Sequence, residues 1–231
     1  MNTLNHFAFG IYPYIAIAIF WLGSLIRYDR EQYTWKSSSS QLLSNKYFRM
    51  ASVLFHVGVI MILLGHFAGL VIPYELWHIF GISLEAKQIV AIGVGGFFGV
   101  MCFIGLTMLI VRRLTNDRIR ANSSTMDITV LLLLYLQLLL GLTSIFVSTG
   151  HMDGAEMFKL MSWTRNILIF NPVTASEFIS EVHWIYKAHV FLGLTLFVIF
   201  PFSRLVHIWS VPVTYIFRNY QIVRRRFANA K

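Results

Sequence analysis

The chain has 231 residues, 57% of them hydrophobic and 13% charged, with a mean hydropathy of +0.66. A soluble domain carries about 25% charged residues, so a water-soluble globular body is excluded, and 16% aromatic residues exclude a disordered chain. The net charge of +9 would point to nucleic acid only on a soluble body, so the position of the charges decides its meaning. The single cysteine, Cys102, lies in an apolar run and leaves no intrachain disulfide, Cys-held metal or Cys-held iron–sulfur cluster.

A membrane-crossing helix needs about 20 mostly apolar residues. Five windows meet this: roughly 8–26, 50–72, 88–111, 127–149 and 184–209. No targeting peptide is expected, because the opening Met1 to His6 lacks a basic n-region and no small-residue cleavage site follows. The first window is closed by Arg27, Tyr28 and Asp29, and the third by Arg112 and Arg113. The third holds Gly93, Gly95, Gly96, Gly99 and Gly105, which suit close helix packing in lipid. The fourth, around Leu131 to Leu140, carries no charge. Fifteen of the nineteen basic residues fall in segments 27–49 and 112–126 and in the tail from Arg204, giving +11 at that side against −2 at the other. The positive-inside rule then predicts an all-α membrane protein, a five-transmembrane-helix bundle with its N-terminus outside and its C-terminus cytoplasmic. A single membrane domain over 1–231 is expected, and Arg224 to Arg226 read as an orientation and lipid-headgroup signal, with no nucleic acid as partner.

Histidines inside spans are costly and point to function. His56 and His66 lie on span 2, His189 and His207 on span 5; His6, His78 and His151 lie at ends or in outer loops, and His183 at the mouth of span 5. Spans 2 and 5 run antiparallel, so His56 shares a level with His207 and His66 with His189. Eighteen residues are five helical turns, so His189 and His207 are expected to point the same way, whereas His183 is about 120° off that line. His56 and His66 lie about 80° apart on their helix. The vertical separations, about 15 Å on span 2 and about 27 Å on span 5, do not match on ideal helices.

Two stacked transmembrane histidine pairs suit two b-type haems, each iron held by two neutral imidazoles and closed to oxygen. A buried histidine can also be an ordinary hydrogen-bonded residue. Gly58, Gly65, Gly69 and Gly193 flank the histidines and suit either a porphyrin or helix–helix packing. Arg112, Arg113 and Arg204 are candidate propionate partners or, alternatively, snorkelling end charges. Lys87, the lone cation of the loop 73–87, is either an interface anchor or a donor to a quinone carbonyl near His66 and Gly65. Asp153, Glu156, Glu177 and Glu181 read as solvated loop acids by default or, alternatively, as acceptors of protons released outside.

The runs Gly10-Ile-Tyr-Pro-Tyr14, Arg27-Tyr-Asp29 and Gln32-Tyr-Thr-Trp35 resemble the gamma subunit of membrane-bound respiratory nitrate reductase. So do Leu54-Phe-His56, Gly65-His-Phe67, Glu85-Ala-Lys-Gln88, Arg112-Arg-Leu114 and His151-Met-Asp-Gly154. The longest match is Phe200-Pro-Phe-Ser-Arg-Leu-Val-His-Ile-Trp-Ser-Val-Pro212, and the resemblance covers essentially the whole chain. It implies a multi-pass cytochrome b of the bacterial cytoplasmic (inner) membrane, with two haem b and menaquinol or ubiquinol as substrate. Quinol would be oxidised near the outer haem and its protons released outside. Electrons would cross through the inner haem to an iron–sulfur beta subunit and the molybdenum alpha subunit that reduces nitrate. The resemblance places the outer haem on His66 and His189, the inner haem on His56 and His207, and the quinol-site lysine on Lys87. The membrane subunit of a heterodisulfide-reductase-like or hydrogenase-like complex is the alternative within electron transfer. A haem-free anchor or transporter is the alternative outside it.

Overall fold

The computed structural model describes residues 3–37, 45–150, 152–210 and 217. The basic tail with Arg218, Arg224 to Arg226 and Lys231, and His151, lie outside the described residues. Among the described residues there is no strand, and five helices are long and apolar enough to cross a membrane: Thr3–Arg30, Lys46–Val71, Leu84–Thr115, Thr125–Thr149 and Trp184–Phe202. These are spans 1 to 5.

Their starts follow from local chemistry. The side chain of Asn45 accepts from Phe48 N (2.8 Å), and that of Ser83 accepts from Ala86 N (3.2 Å). Ser124 and Asp127 form a reciprocal capping box at span 4. Each satisfies an N–H that the first helical turn cannot pair internally. His183 does the same for span 5, its Nδ1 accepting from Ile185 N at 3.3 Å. Span 1 opens through a π-helical turn, Phe7–Ile11, just before Pro13, whose missing N–H and ring disturb the regular ladder.

Span 5 departs from expectation at its far end. Its α-helix stops at Ile199, Phe200–Phe202 is a 3-10 turn, Ser203 is extended (φ −120°, ψ 176°), and Arg204–Ser210 is a separate 3-10 segment. The window to 209 is therefore too long. Pro201 is the cause, since it cannot donate to the helical ladder. The five-turn relation between His189 and His207 fails with it, as does the 27 Å estimate.

The spans follow one another side by side in the order 2, 3, 4, 5, 1, and spans 2 and 5 are not packed against each other along their length. Spans 2 and 3 make the most extensive contact. A Cβ at Gly105 would strike Phe55 N and Ala51 O (2.8 Å), and one at Gly58 would strike Cys102 (2.7 Å). The two backbones meet there because neither glycine carries a side chain. Large apolar side chains such as Trp21, Leu63 and Phe97 stay exposed on the outward faces, as a lipid-facing surface requires.

The main buried cluster lies away from the middle of the spans. Helices Ala155–Leu168 and Pro172–Ser180, in the connection read as an outer loop, pack on the start of spans 1 and 5 through Trp163, Ile167, Ala175, Ile179 and Tyr186. Trp163 Nε1 donates to Phe9 O (2.9 Å), which pins this cap to span 1.

Candidate functional site

The four candidate histidines, three within spans and His207 just beyond span 5, share one local arrangement. Nδ1 of His56 lies 2.7 Å from Ser52 O, and Nδ1 of His66 lies 2.8 Å from Ile62 O. Nδ1 of His189 lies 3.1 Å from Gln137 O on span 4, and Nδ1 of His207 lies 2.6 Å from Arg204 O. A carbonyl oxygen only accepts, so each Nδ1 carries the proton and each Nε2 of the neutral ring is an acceptor, that of His189 meeting the Gln137 amide at 3.4 Å. That is the state of an imidazole prepared to ligate a metal through Nε2, oriented by a second hydrogen bond. His183 is the reverse case: its Nδ1 is spent as an acceptor at the helix cap. His6 bonds through Nδ1 to the Ser176 hydroxyl (3.2 Å).

His66 and His189 face one another across the gap between spans 2 and 5, with ring centroids 5.9 Å apart and planes inclined by 35°. A metal held between two imidazoles at roughly 2 Å on each side, the length of a zinc–imidazole bond, sets the centroids on the order of 6 Å apart. The spacing of the two rings would therefore let both hold one metal ion between them. Among the described residues no group of three or more His, Cys, Asp or Glu side chains converges.

Glycines sort into two roles around the pair. A Cβ at Gly141 would lie 3.0 Å from His189 Cε1, so the ring rests directly on span 4. A Cβ at Gly193 would lie 3.1 Å from Gln137 Nε2, which donates to His189 O (3.1 Å). Gly65 and Gly69 face open space beside His66, whereas Gly58 serves packing against span 3. Gln137 and Gly141 were not singled out as site residues in the sequence. The polar Gln137 in an otherwise apolar span was the available signal.

The other pair is not brought into contact. His56 is exposed on span 2, His207 is half-buried on the 3-10 segment, and no ring contact joins them among the described residues. The ring of His56 is fixed by its own helix, with the Ser52 hydroxyl also 3.3 Å from Nδ1.

Lys87 lies in the first turn of span 3 and is only 6% exposed. A snorkelling anchor would reach water, and this one does not. Its Nζ donates to Gly69 O (2.9 Å) and Met161 Sδ (3.0 Å) and lies 5.0 Å from the centre of the Trp77 ring. No carboxylate pairs with it among the described residues. Two of its three N–H groups are thus used by neutral acceptors, one of them on Gly69, three residues along span 2 from His66. Trp77 Nε1 is buried without a partner among the described residues. Met161 comes from the helix Ala155–Leu168 and gave no signal in the sequence.

At the basic end, the Arg204 guanidinium lies 3.8 Å from Asp127 and also meets Ser37 O. Arg113 lies 3.9 Å from the same carboxylate and donates to Ser123 Oγ (2.7 Å). Arg112 stacks over the Phe48 ring at 4.2 Å. At the opposite end Arg165 pairs with Glu75 (2.7 Å). A backbone hydrogen bond and the Arg165 guanidinium hold the Glu75 carboxyl below its usual range.

The family model for the nitrate reductase gamma subunit matches residues 5–226. The respiratory nitrate reductase 1 gamma chain of Escherichia coli (strain K12) is 48% identical over 98% of this chain and 100% of its own length. The respiratory nitrate reductase 2 gamma chain of the same organism is 45% identical over 98% and 99%. The nitrate reductase gamma chain of Bacillus subtilis (strain 168) is 37% identical over 94% and 96%. With near-complete coverage on both sides, the chain belongs to the nitrate reductase gamma subunit family, as a subunit of the nitrate reductase complex.

Proposed function

We propose that the chain is the di-haem b, quinol-oxidising membrane subunit of a respiratory nitrate reductase, folded as one membrane domain over 1–231. Its basic end, which holds fifteen of the nineteen Lys and Arg, faces the cytoplasm, and the end with the Lys87 and Glu75 loops faces outward. This is the orientation expected in a bacterial inner membrane. The observation that carries the reading is the His66–His189 pair, 5.9 Å apart with both Nδ1 atoms committed to carbonyls.

His66 and His189 would hold the outer haem, and His56 and His207 the inner. Held there by these histidines, two haem b groups would supply single-electron transfer between the two ends of the bundle. Lys87 would donate its remaining N–H to an oxygen of menaquinol or ubiquinol lying beside His66 and Gly65, stabilising the charge that grows there as the quinol loses protons and electrons. Burial among Gly69 O, Met161 and Trp77 keeps this ammonium out of bulk water and fixes its direction. Arg112 and Arg204 would face the inner propionates, Arg204 with its charge shared with Asp127. The iron–sulfur beta subunit and molybdenum alpha subunit would dock on the basic face and receive the electrons.

A dithionite-reduced spectrum of haem-replete membranes tests this. A b-type α-band is expected, and His66→Ala or His189→Ala should abolish quinol oxidation while the inner haem is retained. Absence of the band refutes the reading. Loss of the inner haem alone in both variants refutes the pairing.

A further inference from the structure

His207 sits eight residues beyond the last α-helical residue of span 5, past a 3-10 turn and an extended Ser203. Its position is therefore not inherited from span 5. It depends on what grips residues 200–210, and two charged groups from other spans do so.

The first is Arg27 of span 1. Its Nη1 donates to Pro201 O (2.6 Å) and Ser203 O (2.8 Å), and its Nη2 donates to Thr34 O (2.9 Å). The first two carbonyls stand where the helix has ended, where backbone acceptors lose their intrahelical donors. The second is Asp127 of span 4, only 8% exposed, whose carboxylate lies between Arg204 and Arg113. A buried carboxylate is held in place by such cations, since leaving it unpaired is costly. Arg204 in turn presents its carbonyl to the His207 Nδ1–H at 2.6 Å. A continuous chain of contacts thus runs from Asp127 through Arg204 to His207.

We propose that Arg27 and Asp127 form a latch that positions His207 as an inner haem ligand. They are positioning residues, acting through the 201–203 backbone and through Arg204, and the inference rests on the di-haem reading above. Asp127→Asn is the mild test, because asparagine keeps the shape and the cap acceptor for Ser124 N while deleting the charge. Arg27→Gln is its partner, and Asp127→Glu is the conservative control.

The membrane-embedded complex is measured in two ways. Haem content per chain and the electron paramagnetic resonance g values of each low-spin haem are read in every variant. Separately, Val206, fully buried in the same segment, is replaced in a Val206→Cys background and labelled with a water-soluble maleimide; the native Cys102 is only 2% exposed. Asp127→Asn and Arg27→Gln should each lower inner-haem content at least twofold or shift its g values, with the outer haem unchanged. Labelling at position 206 should rise severalfold, and Asp127→Glu should restore both readouts. The latch is overturned by unchanged labelling, by raised labelling with an unchanged inner haem, or by parallel loss of both haems. If the unmodified protein shows no b-type band, the di-haem reading fails, and unchanged labelling in the variants would then refute the latch separately.

Discussion

Gly141→Ala places one methyl group against the ring proposed to hold the outer haem. The new Cβ would lie 3.0 Å from His189 Cε1, whereas carbon atoms rest comfortably at about 3.5 Å or more. The imidazole must therefore back away from span 4 by about 0.5 Å or rotate about its axis. Its anchor is on the same span, so the Nδ1···Gln137 O bond stretches from 3.1 Å toward roughly 3.6 Å, where it ceases to be a hydrogen bond. Losing that bond costs about 1 kcal/mol, while alanine in place of glycine returns about 1 kcal/mol of helix propensity. Global stability should then barely change although the ligand has moved. The assay is a redox titration of the two haems in membranes, paired with thermal unfolding. The outer haem should shift its midpoint and g values, the inner haem should not, and the thermal midpoint should stay within a few degrees. Gly95→Ala, which meets nothing within 4 Å, is the matched control. Outer-haem signals identical to those of the unmodified protein would refute the seating of His189 on Gly141.

Lys87→Met removes a charge-assisted donor worth about 1.5 to 3 kcal/mol, so the quinol KM should rise at least tenfold with both haems retained, as measured by steady-state quinol oxidation and haem content. Gly105→Leu forces spans 2 and 3 apart at the backbone of Phe55 and Ala51, and overpacking of about 1 to 3 kcal/mol should lower the amount of chain surviving extraction in mild detergent, whereas Gly93→Leu should not. The Glu75 carboxyl is held below its ordinary pKa, so its contribution to stability is present above the unfolded-state pKa and lost as pH falls through the folded one. The pair is exposed and screened by salt, so Glu75→Gln should flatten the acid limb of the unfolding profile only at low ionic strength.

The spans were legible because lipid imposes a length and an apolar composition that no soluble helix needs over five separate windows. Intramembrane histidines stood out for the same reason, since each is expensive unless used. The break at Pro201 was written in Phe200-Pro-Phe-Ser203, yet the apolar character of the flanking residues carried the window through it. Helix Pro172–Ser180 also had its signals, Asn171 as cap and Pro172 in the first turn, inside a stretch read only as a loop. Met161 and Trp77 around Lys87 were beyond reach. They meet the lysine only after two helices far apart in sequence, Tyr74–Ile79 and Ala155–Leu168, fold over the same end of span 3. Gln137 lay between these cases: its polarity was visible, but its target on span 5 depends on how spans 4 and 5 pack.

The four proposed ligands divide by how their rings are oriented, and the division has consequences. His56 and His66 bond to the carbonyls four residues earlier in their own helix, so span 2 orients both rings as soon as it is helical. His189 borrows Gln137 O from span 4, and His207 borrows a carbonyl from a segment that Arg27 and Asp127 hold in place. Span 5 thus orients neither ring from its regular helix. Its two ligands are set by spans 1, 3 and 4 through backbone carbonyls and buried charges. Perturbations at those contacts on spans 1, 3 and 4 should therefore reach a proposed haem ligand without touching a histidine. On span 2, by contrast, only changes that unwind the helix or displace it from Gly105 should do so.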